Sequence, residues 1–315
     1  METYHNKFLI FGCMGLGGSW DTNPISKNDQ KKAFDVIHTA LENNITFFDH
    51  ADIYMLGKAE KVFGMFLQEH PHLREKLKIQ SKSAIQLHEG ALNSNRYNAS
   101  KEYLIKQVEA ILKRLQTDYL DVFLVHRPDP LMNPSELAET FYYLKEKGYV
   151  NHFGVSNMSA TQIEVLQKFS DIPIKHNQIQ FSLGHSQLLE NEVFFNTNHS
   201  VPANNFGMLA YAQLHNIEIQ TYGSLDKGLF SNHQNTGIKT IDETKQLLHQ
   251  LSEKYQTNIL ALQLAWIAKL PCKIVPIIGT TNLERIKQCA EFNQIELSRE
   301  DWYDLWITAM GKKLP

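Results

Sequence analysis

Short apolar segments alternate with longer amphipathic segments along most of the chain. Seven apolar segments have strand composition and end in a polar residue. They cover residues 46–48, 78–80, 120–125, 152–155, 176–180, 217–221 and 273–278. A further strand is predicted near residues 8–12, which makes eight.

The segments between these strands have apolar residues at helical spacing and polar residues at their starts. They cover 28–43 with Asn28 as N-cap, 100–115 after Ser100, 135–147 from Ser135, 159–169 from Ser159 or Thr161, 282–290 from Asn282, and 298–310 from Ser298. Alternating strands and helices predict a parallel sheet with crossover helices, and eight such units predict a closed (β/α)8 TIM barrel. A doubly wound open sheet is the alternative, because periodicity alone does not separate the two.

The chain has 315 residues, and we expect residues 1–315 to form one barrel domain. Two polar segments interrupt the alternation, at 182–206 and 223–241. Both follow strands, at the end where barrels carry their functional loops. We expect most of 182–206 to be an insertion and 223–230 to be functional. The rest of the extra length lies in a C-terminal helix with Trp302, Leu305 and Trp306, which we expect to pack.

Composition and charge exclude several classes of protein. The net charge of −3 indicates no nucleic-acid surface. Three widely spaced cysteines, Cys13, Cys272 and Cys289, support neither a disulfide framework nor a metal site. The chain shows no signal peptide and no apolar run of about 18 residues, so we expect a cytoplasmic protein without a membrane span.

Charged and polar side chains stand where several predicted strands end. Asp49 and Lys82 end neighbouring strands, and a buried ion pair is expected because an unpaired buried charge is costly. Tyr54 follows in the next loop, where the Lys82 ammonium would lower the pKa of the phenol from about 10. His126 could polarise a carbonyl group. The alternative is a structural salt bridge beside a core histidine.

The motifs of other chemistries are missing. Metal-dependent hydrolases usually carry a His-x-His pair at an early strand end, but His70 and His72 flank a proline after a helix. The glycine-rich segment 12–18 lacks the third glycine of a dinucleotide fingerprint, and no P-loop is present. Residues 277–286 offer Thr280, Thr281 and Arg285 at a helix start, a credible anion site. A helix cap with a surface arginine is the alternative.

These residues together resemble the aldo-keto reductase family over nearly the whole chain. The matching segments are 49–54 (DHADIY), Lys82, His126, 154–157 (GVSN), 177–178 (NQ), 221–225 (TYGSL) and 277–286 (IIGTTNLERI). HADIY, HRPDP at 126–130 and HFGVSN at 152–157 are similar to one bacterial subgroup of that family.

The resemblance implies a (β/α)8 barrel that reduces aldehydes or ketones by direct hydride transfer, without a metal. Tyr54 would be the general acid, Lys82 held by Asp49 would lower its pKa, and His126 would orient the carbonyl. The implied coenzyme contacts are Ser156, Asn157 and Gln178 to the carboxamide, Tyr222 on the ring, Ser224, Leu225 and Lys227 at the pyrophosphate, and Gly279, Thr280, Thr281, Arg285 and Gln288 around the adenosine end.

The sequence departs from the common family pattern at a few positions. His50 replaces a usual threonine, Gly279 replaces a phosphate-binding lysine, and Gln288 with Cys289 replaces a frequent Glu-Asn pair. The expected preference for NADP(H) over NAD(H) therefore depends mainly on Arg285.

The partner expected from the resemblance is a small carbonyl compound near Trp20 and His126. The resemblance also favours a monomer. The competing function is a non-catalytic nicotinamide-binding regulator or sensor on the same fold. The complete set of catalytic residues favours the enzyme.

Overall fold

The computed structural model describes residues 8–87, 95–194, 197, 207–232 and 234–315. Within these residues, ten strands occur. They are β1 (Ile10–Gly12), β2 (Phe47–Asp49), β3 (Lys78–Ser83), β4 (Ile85–Gln86), β5 (Arg96–Tyr97), β6 (Leu120–Val125), β7 (Val150–Ser156), β8 (Ile174–Gln180), β9 (Glu218–Tyr222) and β10 (Ile274–Ile278).

Eight of these described strands form a closed barrel in the order β1-β10-β9-β8-β7-β6-β3-β2, and β4 pairs with β5 in a separate antiparallel ribbon. The predicted (β/α)8 TIM barrel is confirmed, and the doubly wound alternative is wrong. The short strands suit this fold, and β1, β2 and β10 are buried along their whole length, as is typical of parallel strands covered on both faces.

Helices follow the strands in the described residues. They are α1 (Lys27–Glu42), α2 (Lys58–Glu69), α3 (Lys101–Leu115), α4 (Pro134–Glu146), α5 (Ala160–Phe169), α6 (Gln187–Val193), α7 (Met208–His215), α8 (Lys239–Lys254), α9 (Ile259–Ala268), α10 (Leu283–Ala290) and α11 (Arg299–Met310). None of these described helices is long and apolar enough to cross a membrane.

Two predicted helix starts are wrong by one or two residues. The cap of α1 is Ser26, whose hydroxyl accepts the Asp29 N–H, and not Asn28. The cap of α4 is Asn133, because Pro134 fits the first helical position and lets the helix begin before Ser135. Ser159 and Ser298 cap α5 and α11.

Contacts between residues divide the described chain into two compact units. The N-terminal unit comprises Ile10–Gln178 with Gly279–Leu283, and the C-terminal unit comprises residues 8 and 9, Ile179–Ile278 and Glu284–Pro315. We describe each unit by itself. The single domain expected from the sequence stays a prediction.

Parallel registers in the N-terminal unit align the strand ends that carry the predicted chemistry. Asp49 of β2 lies opposite Gln80 of β3, and Lys82 lies opposite Leu124 of β6. Alternate residues of a strand face the same side, so Gln80 and Lys82 share one face of β3. Phe48 faces the other side from Asp49, and its ring packs against Phe63 of α2.

Large aromatic residues form the core of the C-terminal unit. The indole rings of Trp266 and Trp302 stack at 5.4 Å, and each indole N–H donates to the backbone carbonyl of the other residue. Phe181 stacks on Trp266. Trp302, Leu305 and Trp306 are buried, so α11 is a packing element.

The segment expected to be an insertion is only partly within the described residues. Its first part contains α6, whereas residues 195–196 and 198–206 lie outside the described chain. The sequence pattern did not identify α9, because its sequence ILALQLAWIA is apolar on all sides and shows no amphipathic period.

Candidate active site

The ion pair expected between Asp49 and Lys82 is present at the carboxyl ends of β2 and β3. The Lys82 ammonium lies 2.7 Å from both carboxylate oxygens of Asp49 and donates to the His50 carbonyl at 2.8 Å. The Lys82 side chain is fully buried. A buried ammonium with three acceptors remains charged, because it has found a partner for each donor.

Two amide side chains complete the surroundings of the Asp49 carboxylate. The amide nitrogens of Gln80 and Gln178 donate to Asp49 Oδ1, at 2.6 Å and 3.0 Å. β2, β3 and β8 therefore contribute to one buried polar cluster. These hydrogen bonds stabilise the carboxylate that holds Lys82 in place.

Tyr54 lies in the loop that follows β2. The Lys82 ammonium is 4.9 Å from the centre of the Tyr54 ring. Beyond Tyr54 the backbone is left-handed at three successive residues, with φ of 47° at Met55, 57° at Leu56 and 82° at Gly57. Such a conformation costs about 1–2 kcal/mol at each non-glycine residue, so packing must hold this loop in place.

The predicted direction of the Tyr54 pKa shift is wrong. Burial raises the pKa of Tyr54 above 10, and the nearby Lys82 charge only partly offsets this effect. Asp49 already neutralises much of the Lys82 charge and itself raises the pKa of Tyr54. The tyrosine therefore keeps its proton at neutral pH, which is the form a proton donor requires.

His126 follows β6 and faces the same tyrosine. Its backbone N–H donates to the Ser83 carbonyl at 2.7 Å, and its ring centre lies 6.2 Å from that of Tyr54. Burial, Lys82 and Arg127 hold the pKa of His126 well below its usual value, so the ring is neutral. Its Nδ1 is buried and has no hydrogen-bond partner among the described residues.

Ser156, Asn157 and Gln178 lie at the ends of β7 and β8. The Ser156 hydroxyl donates to the Gln178 carbonyl at 2.8 Å, and the Asn157 side-chain amide donates to the Ser156 oxygen at 2.8 Å. Asn157 adopts a left-handed conformation with φ of 57°. The structure brings these three residues together, and Gln178 also joins them to Asp49.

Gly279, Thr280 and Thr281 follow β10 and belong to the N-terminal unit. Thr281 lines a cavity of about 390 Å³ together with the glycine-rich segment 15–19 and residues of α1. A Cβ built on Gly279 meets nothing within 4 Å, so the backbone here is open. Trp20 is 48% exposed.

The other predicted coenzyme residues belong to the C-terminal unit. Tyr222 ends β9, and the Ser224 hydroxyl donates to the Thr221 carbonyl at 2.7 Å. Leu225 is half-buried and Lys227 is exposed and left-handed, with φ of 54°. Arg285 is exposed on α10, whereas Gln288 is half-buried there and accepts from Asn258 through its backbone carbonyl.

Several residues of the site were absent from the sequence prediction. Gln80 was detectable, because it stands two positions before Lys82 on a strand of period two. Cys13 is buried beside Asp49, and burial raises the pKa of its thiol far above the usual value. Asp52 and Glu60 are also buried, and the residues around them in the sequence give no indication of this burial. In the part of the chain that the structure describes, no group of three or more potential ligands could hold a metal ion.

Several known proteins are similar to this chain over most of its length. The family model for the aldo/keto reductase family matches residues 8–306. A 6-dehydroglucose reductase of Agrobacterium fabrum is 31% identical over 97% of this chain and 95% of that protein, and the oxidoreductase YdhF of Escherichia coli is 32% identical over 89% and 88%. These similarities extend over the full barrel.

Solved structures show the same fold. A glycerol dehydrogenase from Gluconobacter oxydans superimposes with a TM-score of 0.80 at 20% identity, over 98% of this chain and 93% of that one. An aldo-keto reductase from Klebsiella pneumoniae, solved with NADPH, gives a TM-score of 0.71 at 23% identity over 94% and 89%.

Proposed function

The chain belongs to the aldo/keto reductase family and is an NAD(P)H-dependent oxidoreductase, and from this premise we propose that the cluster around Lys82 reduces the carbonyl group of an aldehyde or ketone. The observation that carries the proposal is the buried Asp49–Lys82 pair with the Tyr54 ring 4.9 Å from its ammonium. A regulator or sensor has no need of such a costly arrangement beside a phenol.

Tyr54 acts as the general acid in this proposal. Because its pKa is raised, the phenol is protonated at neutral pH and donates that proton to the carbonyl oxygen as charge develops there. Lys82 then stabilises the phenolate that remains, and Asp49 keeps the ammonium in position. The cation lowers the cost of proton transfer even though burial keeps the resting phenol neutral.

His126 orients the carbonyl group. Since the low pKa keeps its imidazole neutral, the ring binds the carbonyl oxygen through an N–H without adding a second buried cation beside Lys82. His126 therefore does not compete with Tyr54 as the proton source.

The residues of the chain fit NADPH as the coenzyme, which supplies the hydride when bound. Asn157, Ser156 and Gln178 present amide and hydroxyl groups suited to a carboxamide. The open backbone at Gly279 and the hydroxyls of Thr280 and Thr281 suit a phosphate.

The remaining proposed contacts lie on the C-terminal unit. Tyr222 would pack on the nicotinamide ring, Ser224, Leu225 and Lys227 would line the pyrophosphate, and Arg285 with Gln288 would bind the adenosine end. Arg285 is the strongest cationic candidate for the 2′-phosphate, because a guanidinium binds phosphate in a bidentate manner. Trp20 would face the substrate. A monomer in the cytoplasm stays a prediction.

The direct test is Tyr54→Phe, which removes the hydroxyl and keeps the ring. We expect turnover with NADPH and a panel of aldehydes and ketones to fall by about 10²–10⁴-fold, while the dissociation constant for NADPH is unchanged. The panel includes 6-dehydroglucose, the compound for which the Agrobacterium relative is named.

Tyr142→Phe is the matched control, because Tyr142 is an exposed tyrosine of α4, 62% accessible. We expect it to leave turnover unchanged. Wild-type turnover in Tyr54→Phe would refute the proposed acid, and NADPH binding without reduction of any carbonyl by the wild type would favour the sensor.

A further inference from the structure

A second buried polar cluster lies behind the Tyr54 loop, on the face of β3 opposite Lys82. Ser81 and Ser83 flank Lys82 and point to this side. The Ser83 hydroxyl donates to Asp52 Oδ2 at 2.6 Å, and the Ser81 hydroxyl donates to Glu60 Oε1 at 2.6 Å. The mechanism above uses neither acid, so the cluster needs a separate explanation.

Asp52 joins the Tyr54 loop to the end of β3 by two hydrogen bonds. Besides the contact with Ser83, the Asp52 backbone N–H donates to the Lys82 carbonyl at 3.0 Å. Asp52 is only two residues before Tyr54, and Ser83 is the neighbour of Lys82. The pair of bonds therefore ties the segment that carries the phenol to the strand that carries the ammonium.

The far side of the same loop is held by α2 and α3. Arg114 donates to Glu60 Oε2 at 2.6 Å, and its side chain lies against Gly57, where an added Cβ would be 3.1 Å from Arg114 Cδ. The left-handed run from Met55 to Gly57 thus lies between two attachments, Asp52 before it and Arg114 after it. A strained loop persists only where its surroundings determine its conformation.

The surroundings of Asp52 disfavour the charged form of its carboxyl group. Its Oδ1 is buried without a hydrogen-bond partner among the described residues. Burial is the main cause that raises its pKa to about 7; the Glu60 carboxylate adds to the rise, while the Ser83 hydroxyl and Arg114 oppose it. Tyr103 of α3 also faces this group, and burial with the Asp52 charge raises the pKa of its phenol.

We propose that Asp52 is a positioning residue for Tyr54, which holds the phenol against Lys82 through its bonds to Ser83 and to the Lys82 backbone. The inference rests on the proposed role of Tyr54 as the acid. Ser83 can donate to either form of the carboxyl, but burial and the nearby Glu60 charge disfavour the carboxylate, so ionisation of Asp52 destabilises the packing of the loop. The protonated Asp52 stabilises the folded loop. This contribution to stability is full below the pKa of an unfolded aspartate, 3.8, and is lost as the pH rises through about 7.

The test compares Asp52→Asn, Asp52→Ala and Ser83→Ala in the full chain. Asp121→Asn is the control, because Asp121 is a half-buried carboxylate that likewise bonds to β3, but at the other end of the strand, where it accepts from the Ile79 N–H. Turnover and NADPH dissociation are measured from about pH 5.5 to about pH 9. Hydrogen exchange of residues 53–57 is measured in parallel.

We expect Asp52→Ala to lower kcat by about 10- to 100-fold, to leave NADPH dissociation unchanged and to accelerate exchange at 53–57. We expect Ser83→Ala also to lower kcat and to accelerate exchange at 53–57, but by less than Asp52→Ala. Asp52→Asn cannot ionise, so its kcat should be close to that of the wild type and above that of Asp52→Ala. We expect the kcat of the wild type to decline above about pH 7, and we expect no such decline in Asp52→Asn. Ionisation of Tyr54 should lower kcat only at a higher pH, because the pKa of this phenol is raised above 10.

Wild-type kcat in Asp52→Ala, a decline near pH 7 that persists in Asp52→Asn, or an equal loss in Asp121→Asn would each overturn the inference. The exchange measurement needs no turnover, so unchanged exchange in Asp52→Ala and Ser83→Ala refutes the anchoring even if Tyr54 is not the acid. Failure of the proposed function alone would appear as full turnover in Tyr54→Phe.

Discussion

The buried cluster around Lys82 and the largely exposed segment 279–288 are both assigned functional roles in the proposal, yet they are built in different ways. Lys82 and Asp49 are almost inaccessible, and each finds its partners within the protein. In the other region Gly279, Thr281 and Arg285 are exposed, and the backbone at Gly279 is open.

The difference follows from the cost of burial. A charge removed from water must be paired when the protein folds, so the cluster around Lys82 is organised before any ligand binds. The guanidinium of Arg285 is exposed, so water solvates its charge and folding does not require it to be buried with an ion-pair partner. Substitutions in the first region should therefore change both stability and turnover, whereas substitutions in the second should change coenzyme binding alone.

The largest effect is expected for Lys82→Met, which keeps the length of the side chain and removes its charge. We expect kcat to fall by about 10²–10⁴-fold and the free energy of unfolding to fall by about 3–5 kcal/mol, because Asp49 is left buried without its cation. Steady-state kinetics and denaturant unfolding measure the two effects.

Two further variants sharpen this test. Adding Asp49→Asn to Lys82→Met should recover part of the stability but none of the turnover, since the uncompensated carboxylate is then removed. Lys101→Met, at an exposed ion pair with Glu139, should change neither quantity. Wild-type stability in Lys82→Met would contradict the view of a cluster organised by burial.

An intermediate effect is expected for Arg285→Ala in the exposed segment. The dissociation constant for NADPH should rise by about 10- to 100-fold, because a charge-assisted hydrogen bond to phosphate is lost. Binding of NADH and the thermal midpoint should be unchanged. Titration of coenzyme fluorescence measures both constants.

Lys287→Ala is the control on the same helix, where an exposed lysine lies 3.7 Å from Glu284. We expect it to leave NADPH binding almost unaffected. Equal losses of NADPH and NADH affinity in Arg285→Ala would show that Arg285 does not recognise the 2′-phosphate.

The smallest effects come from a matched pair of hydroxyl deletions. Ser81→Ala should lower the free energy of unfolding by about 1–3 kcal/mol, because the buried Glu60 loses a donor. Thr281→Ala should change stability by less than about 0.5 kcal/mol and weaken NADPH binding slightly. Denaturant unfolding separates the two, and a reversed order would contradict the comparison.

Much of the fold and many site residues were predictable because their signals are local. Strand composition, helical spacing and the polar residues at strand ends all lie within a few positions of each other. The starts of α1 and α4 were misplaced because several residues nearby can cap a helix, and only the backbone path decides between Ser26 and Asn28.

The ion pair of Asp49 with Lys82 was predicted, but the two amide partners of Asp49 were harder to predict. Gln80 is detectable from the period of β3, but its hydrogen bond to Asp49 joins residues 31 positions apart. The bond from Gln178 joins residues 129 positions apart. No local pattern specifies such contacts, because they depend on how the strands align in the barrel.

The sequence by itself determined the type of fold and the family, and it supplied the residues that we propose carry the chemistry, because these depend on order and spacing. Only the tertiary structure decided their electrostatics. Tyr54 was expected to have a lowered pKa, and the structure shows a raised one, since burial outweighs a cation already paired with Asp49. The high pKa of Asp52 likewise depends on its burial beside Glu60, which the packing of the Tyr54 loop against α2 and β3 creates.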